Sequence, residues 1–334
     1  MVSSKIKNYL LLLIALSFFF GFTRSTNTKM SGTYELVNDW LKLPKDFHSG
    51  QVSGIGIDTS QNIIFFQRTD RRWTNTFPDS LISSKTIFTI DRQTGKILNS
   101  WGANLFIMPH GLTVDKQNNI WVTDVALQQV FKFSHEGKLL LTLGVAKTEG
   151  NDSTHFTLPT DVAVTKNGSC YVSDGYGNSR IVKFDKNGHY LFEWGKKGTG
   201  EGEFDVPHSI HLDNYGNVYV ADRENNRIQK FDGNGKFLKQ WKNNEANKLY
   251  AVSVGKSNSV FAIDDLFIND SLPGGDAVMK FDSKLNLRLR FGRNDSTLNK
   301  YYYYHDIEID NLENIYVANM GDGARVQKFR KISK

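Results

Sequence analysis

Pro109-His110-Gly111-Leu112-Thr113-Val114-Asp115, then Ile120-Trp121-Val122-Thr123-Asp124, then Val130-Phe131-Lys132-Phe133, ending at Leu143-Gly144, is one unit of a repeating pattern. The next copy runs from Pro159 through Tyr171-Val172-Ser173-Asp174 and Ile181-Val182-Lys183-Phe184 to Trp194-Gly195. A third runs from Pro207 through Tyr219-Val220-Ala221-Asp222 and Ile228-Gln229-Lys230-Phe231 to Trp241. Weaker copies carry Lys280-Phe281 with Phe291-Gly292, and Lys328-Phe329. Val52 to Gly102 is the first copy, with Thr89-Ile90 in the Lys-Phe position, which makes six. Each holds four β-type runs, such as Gly111–Val114, Asn119–Thr123, Gln129–Phe133 and Leu139–Leu143. Turn signals like Lys166-Asn167-Gly168 and Asp232-Gly233-Asn234-Gly235 separate them. Four antiparallel strands repeated six times, with no helical period between them, predict an all-β, six-bladed β-propeller. The last copy runs out after its third strand, so Tyr34-Glu35-Leu36-Val37 is expected to supply the fourth and close the ring.

Composition narrows the function. The 334 residues are 39% hydrophobic and 13% aromatic with 28 Gly and 6 Pro, which excludes collagen-like sequence and wholesale disorder. Cys170 is the one cysteine, so an intramolecular disulfide framework and thiolate-rich metal sites are excluded. It aligns with Ile120 of the preceding repeat and should be buried. Lys5 and Lys7 precede an uncharged run from Tyr9 to Phe22, followed by Thr23-Arg24-Ser25. That is the anatomy of a signal peptide, here residues 1–25, leaving residues 26–334 as one propeller domain. Its removal takes three cations from the formal charge of +6. With no basic block, nucleic-acid binding is not expected. The mature chain is expected to be exported (secreted, or periplasmic in a bacterium), monomeric, and without a membrane span. Sequons begin at Asn151, Asn167, Asn269 and Asn294.

In a propeller the first strand of each blade lines the central channel. The residues opening that strand are Ser53, His110, Thr160, His208, Tyr250 and His305. Histidine thus occupies alternate blades, about 120° apart around a sixfold ring, which suits a three-histidine metal site with an open position. Imidazoles without thiolate favour zinc, with copper, iron or nickel as rivals. The remaining histidines share no register, and His211, three residues past His208, should face away from the channel. Strand two ends at the same mouth, where the blades read Arg68, Asp124, Asp174, Asp222, Asp264 and Asn319. The acids are expected to cap the turn into strand three. Arg68, Arg223 and Tyr176 depart from the pattern and would suit an anionic substrate that must lose a proton. Insertions at Thr69 to Ser84 and Asp265 to Asp276 should form loops on that mouth.

These residues carry a resemblance. The chain is similar to the peptidyl-α-hydroxyglycine α-amidating lyases, propellers of NHL-type repeats. The most specific stretches are Pro109-His110-Gly111-Leu112, Trp121-Val122-Thr123-Asp124-Val125-Ala126-Leu127, Pro159-Thr160-Asp161-Val162-Ala163-Val164, Ser173-Asp174-Gly175-Tyr176-Gly177-Asn178-Ser179-Arg180, Val206-Pro207-His208-Ser209 and Val220-Ala221-Asp222-Arg223-Glu224-Asn225. The resemblance implies cleavage of the C–N bond of a peptidyl-α-hydroxyglycine into a peptide amide and glyoxylate. It assigns zinc to His110, His208 and His305, the catalytic tyrosine to Tyr176 and the active-site arginines to Arg68 and Arg223. It also implies a structural calcium held by the carbonyls of Val52 and Leu112 and by Asp306. Two disulfides of animal members would fall on Thr157 with Gly177 and on Tyr219 with Lys230, where no cysteine stands. The family's Met-Pro-His-Asp becomes Tyr303-Tyr304-His305-Asp306, which alters a wall of the site. The partner implied is a peptide ending in α-hydroxyglycine, supplied by a separate hydroxylating enzyme. Two other readings remain: a different zinc enzyme on the same scaffold, or a non-catalytic binding propeller.

Overall fold

A computed structural model describes residues 33–45, 47, 50–245, 247–269, 272–292, 303–321 and 326–332. The expected leader lies outside them, as do His48 and Asn294. Among the described residues there are strands and no helix. A lone opening strand, β1 (Tyr34–Leu36), precedes six four-stranded antiparallel sheets. Blade one is β2 (Val52–Ile57), β3 (Ile63–Gln67), β4 (Ile87–Ile90) and β5 (Ile97–Trp101). Blade two is β6 (Pro109–Val114), β7 (Ile120–Asp124), β8 (Gln129–Phe133) and β9 (Leu139–Leu143). Blade three is β10 (Asp161–Val164), β11 (Cys170–Asp174), β12 (Arg180–Phe184) and β13 (Tyr190–Trp194). Blade four is β14 (Pro207–Leu212), β15 (Val218–Asp222), β16 (Arg227–Phe231) and β17 (Phe237–Lys242). Blade five is β18 (Asn247–Val254), β19 (Val260–Asn269), β20 (Leu272–Phe281) and β21 (Leu287–Gly292). Blade six is β22 (Tyr304–Ile309), β23 (Ile315–Asn319) and β24 (Val326–Lys331), and β1 pairs with β24 as its fourth strand. The chain is the expected six-bladed propeller.

Burial follows strand rank. Second strands such as Ile120–Asp124 are covered on both faces, because each sheet packs against its neighbours. Fourth strands such as Leu139–Leu143 lie at the rim and are mostly exposed. Cores therefore sit between blades. One joins Trp121 and Val130 of blade two to Val162, Cys170 and Val172 of blade three. Cys170 is fully buried there, as its register requires. Burying a valine such as Val130 or Val172 in this cluster contributes about 1.5–3 kcal/mol.

The turns between first and second strands are held locally. Asp115 Oδ1 accepts from the backbone N–H of Gln117 at 2.9 Å and of Asn119 at 2.8 Å. Asp58, Asp213 and Asp310 make the same bond to the residue four positions on. Tyr219 and Lys230 are register partners, and the Lys230 ammonium sits 4.8 Å from the Tyr219 ring centre. Gly177 N–H donates to Thr157 O at 3.0 Å. Both pairs that stand in for disulfides are thus neighbours held without sulfur.

One expectation fails. The blade-five insertion is not a loop: β19 and β20 continue their ladder through Asp265↔Asp276, Phe267↔Pro273 and Asn269↔Leu272. Pairing of two extended runs satisfies backbone groups that a loop would leave to water.

Candidate active site

The ring residues are aimed inward by β-bulges. The register between first and second strands shifts between Val52 and Gly54, Pro109 and Leu112, Pro207 and Ser209, Leu249 and Ala251, and Tyr304 and Asp306. The extra residues include Ser53, His110, His208, Tyr250 and His305. A bulge bends the strand and redirects the residue it carries, and here it turns them toward the axis. The three imidazole rings lie 4.7–4.9 Å apart between centres. Each histidine offers one possible ligand nitrogen within 4.8 Å of the others, and all three are buried.

Backbone carbonyls orient the imidazoles. His110 Nδ1 bonds Thr160 O at 2.6 Å, His208 Nδ1 bonds Tyr250 O at 2.7 Å and His305 Nδ1 bonds Ser53 O at 2.7 Å. A carbonyl only accepts, so each Nδ1 carries the proton. Burial first holds all three well below the usual imidazole range, aided by neighbouring imidazoles and arginines for His110 and His208 and by Arg68 and Arg223 for His305. They are therefore neutral, and each Nε2 is a bare lone pair.

Tyr176 Oη is 3.0 Å from the Nε2 of both His110 and His208. One phenolic hydrogen cannot serve two acceptors. His305 Nε2 is buried without a partner. Three lone pairs thus converge around one hydrogen, and a metal cation satisfies that donor set.

The arginines flank this centre. Arg223 Nη1 donates to Tyr176 Oη at 3.3 Å, and its guanidinium carbon lies 5.1 Å from the Tyr176 ring and 5.2 Å from the Tyr250 ring. Burial would lower Arg223, but Tyr176, Tyr250 and Glu224 more than reverse this and raise it. Arg68 is 1% exposed, and its Nε donates to Pro109 O at 2.8 Å. Its Nη2 is buried with no partner. Burial lowers Arg68. Tyr303 Oη donates to Tyr250 Oη at 2.8 Å and forms the wall that its sequence position implies.

Pairing corrects the placement of Arg68. Val52 faces Gln67 as Pro109 faces Asp124 and Pro207 faces Asp222. Gln67 therefore holds the position that the acids hold elsewhere, and Arg68 is the counterpart of Arg223. The two arginines occupy one register in blades one and four, on opposite sides of the axis. The acids themselves are structural: Asp124 Oδ2 accepts from Ile107 N–H and Met108 N–H, and Oδ1 from Ala126 N–H and Leu127 N–H, at 2.7–3.0 Å.

Below the histidines lies a small polar cavity lined by Leu112, Asp161, Ser209, His211, Asp306 and Glu308, among others. Asp306 Oδ2 accepts from Ile55 N–H at 2.9 Å, and Asp161 Oδ2 from Ile210 N–H at 3.0 Å. Burial pushes Asp161 up to about 7; burial and then the Asp161 charge push Asp306 well above the usual carboxylate range. Two opposed buried carboxylates suit a hard cation. Leu112 lines this cavity, while the Val52 side chain packs in the core between blades one and six. Asp161 was missed in the sequence. The signal was an acid directly after the ring residue in blades three and six. His211 also lines the channel, against expectation, because the bulge at His208 adds a residue and reverses the alternation. A wider cavity of about 760 Å³ opens at the other mouth.

A family model described as a 6-bladed beta-propeller matches residues 140–286, and the NHL repeat matches residues 106–133. The chain is 44% identical over 190 residues to the probable peptidyl-alpha-hydroxyglycine alpha-amidating lyase of Caenorhabditis elegans, covering 53% of this chain and 54% of that protein. It is 37% identical over 219 residues to peptidyl-alpha-hydroxyglycine alpha-amidating lyase 1 of Drosophila melanogaster, covering 59% and 40%. The chain thus spans about half or less of the length of these curated relatives. A solved streptogramin B lyase shares the fold alone, with TM-score 0.59 and 13% identity over 90% of this chain and 99% of that one. The protein is a six-bladed β-propeller that carries a match to the NHL repeat. Its curated homologues include peptidyl-α-hydroxyglycine α-amidating lyases.

Proposed function

We propose that the protein is a zinc-dependent lyase that cleaves the C–N bond of a peptidyl-α-hydroxyglycine, giving a peptide amide and glyoxylate. The observation that carries this reading is the convergence of three neutral histidines on Tyr176, flanked by Arg68 and Arg223. His110, His208 and His305 would hold zinc, which supplies a Lewis acid to polarise the substrate hydroxyl. With metal held by the histidines, Tyr176 would give up its phenolic hydrogen and, as the phenolate, be the base that takes the hydroxyl proton. As the C=O bond forms, the C–N electron pair leaves on nitrogen, and Tyr176 returns the proton to the departing amide. Arg223 donates to the phenolic oxygen and stabilises its charge during the transfer. The unpartnered Arg68 Nη2 would hold the substrate carboxylate.

Asp306 with the Val52 and Leu112 carbonyls would hold a structural calcium, and the second carboxylate, Asp161, supports that reading. The substrate peptide would come from a separate hydroxylating enzyme along a secretory route. No helix of the described residues is long and apolar enough to cross a membrane. The test is to incubate zinc-loaded protein with a peptide extended by α-hydroxyglycine and to measure glyoxylate. Release above the spontaneous rate supports the lyase; release at the spontaneous rate removes it.

A further inference from the structure

The blade-one insertion between β3 and β4 rises at the histidine mouth and is fastened there. Arg71 Nη2 donates to Ser80 O at 2.8 Å and to Ser80 Oγ at 2.9 Å. Lys147 pairs with Asp79 at 2.9 Å, and Ile82 N–H donates to Phe106 O at 2.8 Å. Phe77 packs on the buried cluster of Ile107, Met108, Val125, Ala126 and Leu127. Trp73 meets Phe77 edge-on at 5.0 Å and lies against Tyr176 with ring centres 4.8 Å apart. Yet Trp73 is 42% exposed. A large aromatic surface is thus held on rigid backing beside the reacting phenol, with much of its area still open to water. Such surfaces are where ligand side chains gain most from burial.

The mouth is lopsided. Opposite Trp73, Arg223 pairs with Glu224 at 2.9 Å, and Glu224 pairs with Lys248 at 2.9 Å. The histidines and the Arg68 Nη2 lie at the floor, and the Arg68 guanidinium carbon is 5.7 Å from the Trp73 ring. A substrate whose hydroxyl and carboxylate occupy that floor must lead its chain out past Tyr176. The first side chain to reach the mouth belongs to the residue before the hydroxyglycine, and Trp73 stands within one residue's reach.

We propose that Trp73, backed by Phe77, is a specificity-determining shelf for the residue preceding the hydroxyglycine, and that it selects apolar or aromatic side chains. This rests on the lyase reading. The shelf is tested by binding that needs no cleavage. Two peptides identical except for Phe or Asp before a C-terminal glycine are titrated calorimetrically into the zinc-loaded full chain. Expected is about tenfold or more tighter binding of the Phe peptide. Trp73→Ala erases that preference and Trp73→Phe keeps most of it. Tyr215→Ala, on an 82% exposed residue at the other mouth, leaves it unchanged. Equal affinities for the wild-type chain, a preference that survives Trp73→Ala, or no binding of either peptide would each overturn the shelf. Glyoxylate release, measured separately, reports on the lyase: release without any preference keeps the lyase and removes the shelf.

Discussion

His305 Nδ1 donates to the backbone carbonyl of Ser53 at 2.7 Å, so an imidazole of the last blade is oriented by the first. The same step links His110 to Thr160 and His208 to Tyr250. Every histidine on the ring is thus steadied by the non-histidine ring residue of the next blade. The repeat places those six residues at one position, but nothing in their identity marks one set as orienting the other.

Metal analysis of the purified protein should therefore show one zinc at the histidine ring, and His110→Ala, His208→Ala and His305→Ala should each lose it. Ser53→Ala should retain it, because the orienting acceptor is backbone. Zinc at full occupancy in all three histidine variants would refute the site.

Tyr176→Phe removes an oxygen and leaves the three Nδ1–carbonyl bonds in place. Folding and metal content should persist while turnover falls by about 10²–10⁴-fold, the usual size of a general-base effect. Near-normal glyoxylate release from this variant would take the base role away from Tyr176.

Arg68 is a buried cation with one satisfied N–H and an orphaned Nη2. Replacing a poorly compensated buried charge by an apolar side chain of similar length is often neutral or stabilising. Arg68→Met should accordingly melt at the same temperature or higher while losing at least about 100-fold in turnover. A lower melting temperature in thermal denaturation would show that Arg68 is structural instead.

Burial pushes the Cys170 thiol up to about 12. Thiolate is scarce in the native state at neutral pH and the sulfur is shielded. A disulfide reagent at pH 8 should label native protein far more slowly than denatured protein. Fast native labelling would contradict the register of β11.

Much of this architecture was legible because the repeat is strong. Strands such as Gln129–Phe133 and Leu139–Leu143 fall where the turn residues put them, and the Tyr34 strand closes the ring as expected. The histidine ring was legible for the same reason. The bulges were not, since no residue type marks them. Reading through them put Arg68 one place off its partner Arg223 and sent His211 to the wrong face. The blade-five hairpin was hidden because an insertion has no repeat to be compared with. Trp73 escaped notice for the same reason: its place comes from where the loop is pinned, by Arg71 to Ser80 within the insertion and by Lys147 to Asp79 and Phe106 to Ile82 from outside it.

The pairing of β1 with β24, Tyr34↔Lys331 through Leu36↔Phe329, has a consequence for synthesis. While a ribosome is still extending the polypeptide, the earliest strand has nothing to pair with and Ser53 has no imidazole to orient. Blades two to five can pack as they emerge, but the three-histidine centre is completed only when β24 is free to meet β1. The last blade to form is thus the one that fixes the first, and the histidine ring is set only when both ends of the propeller have met.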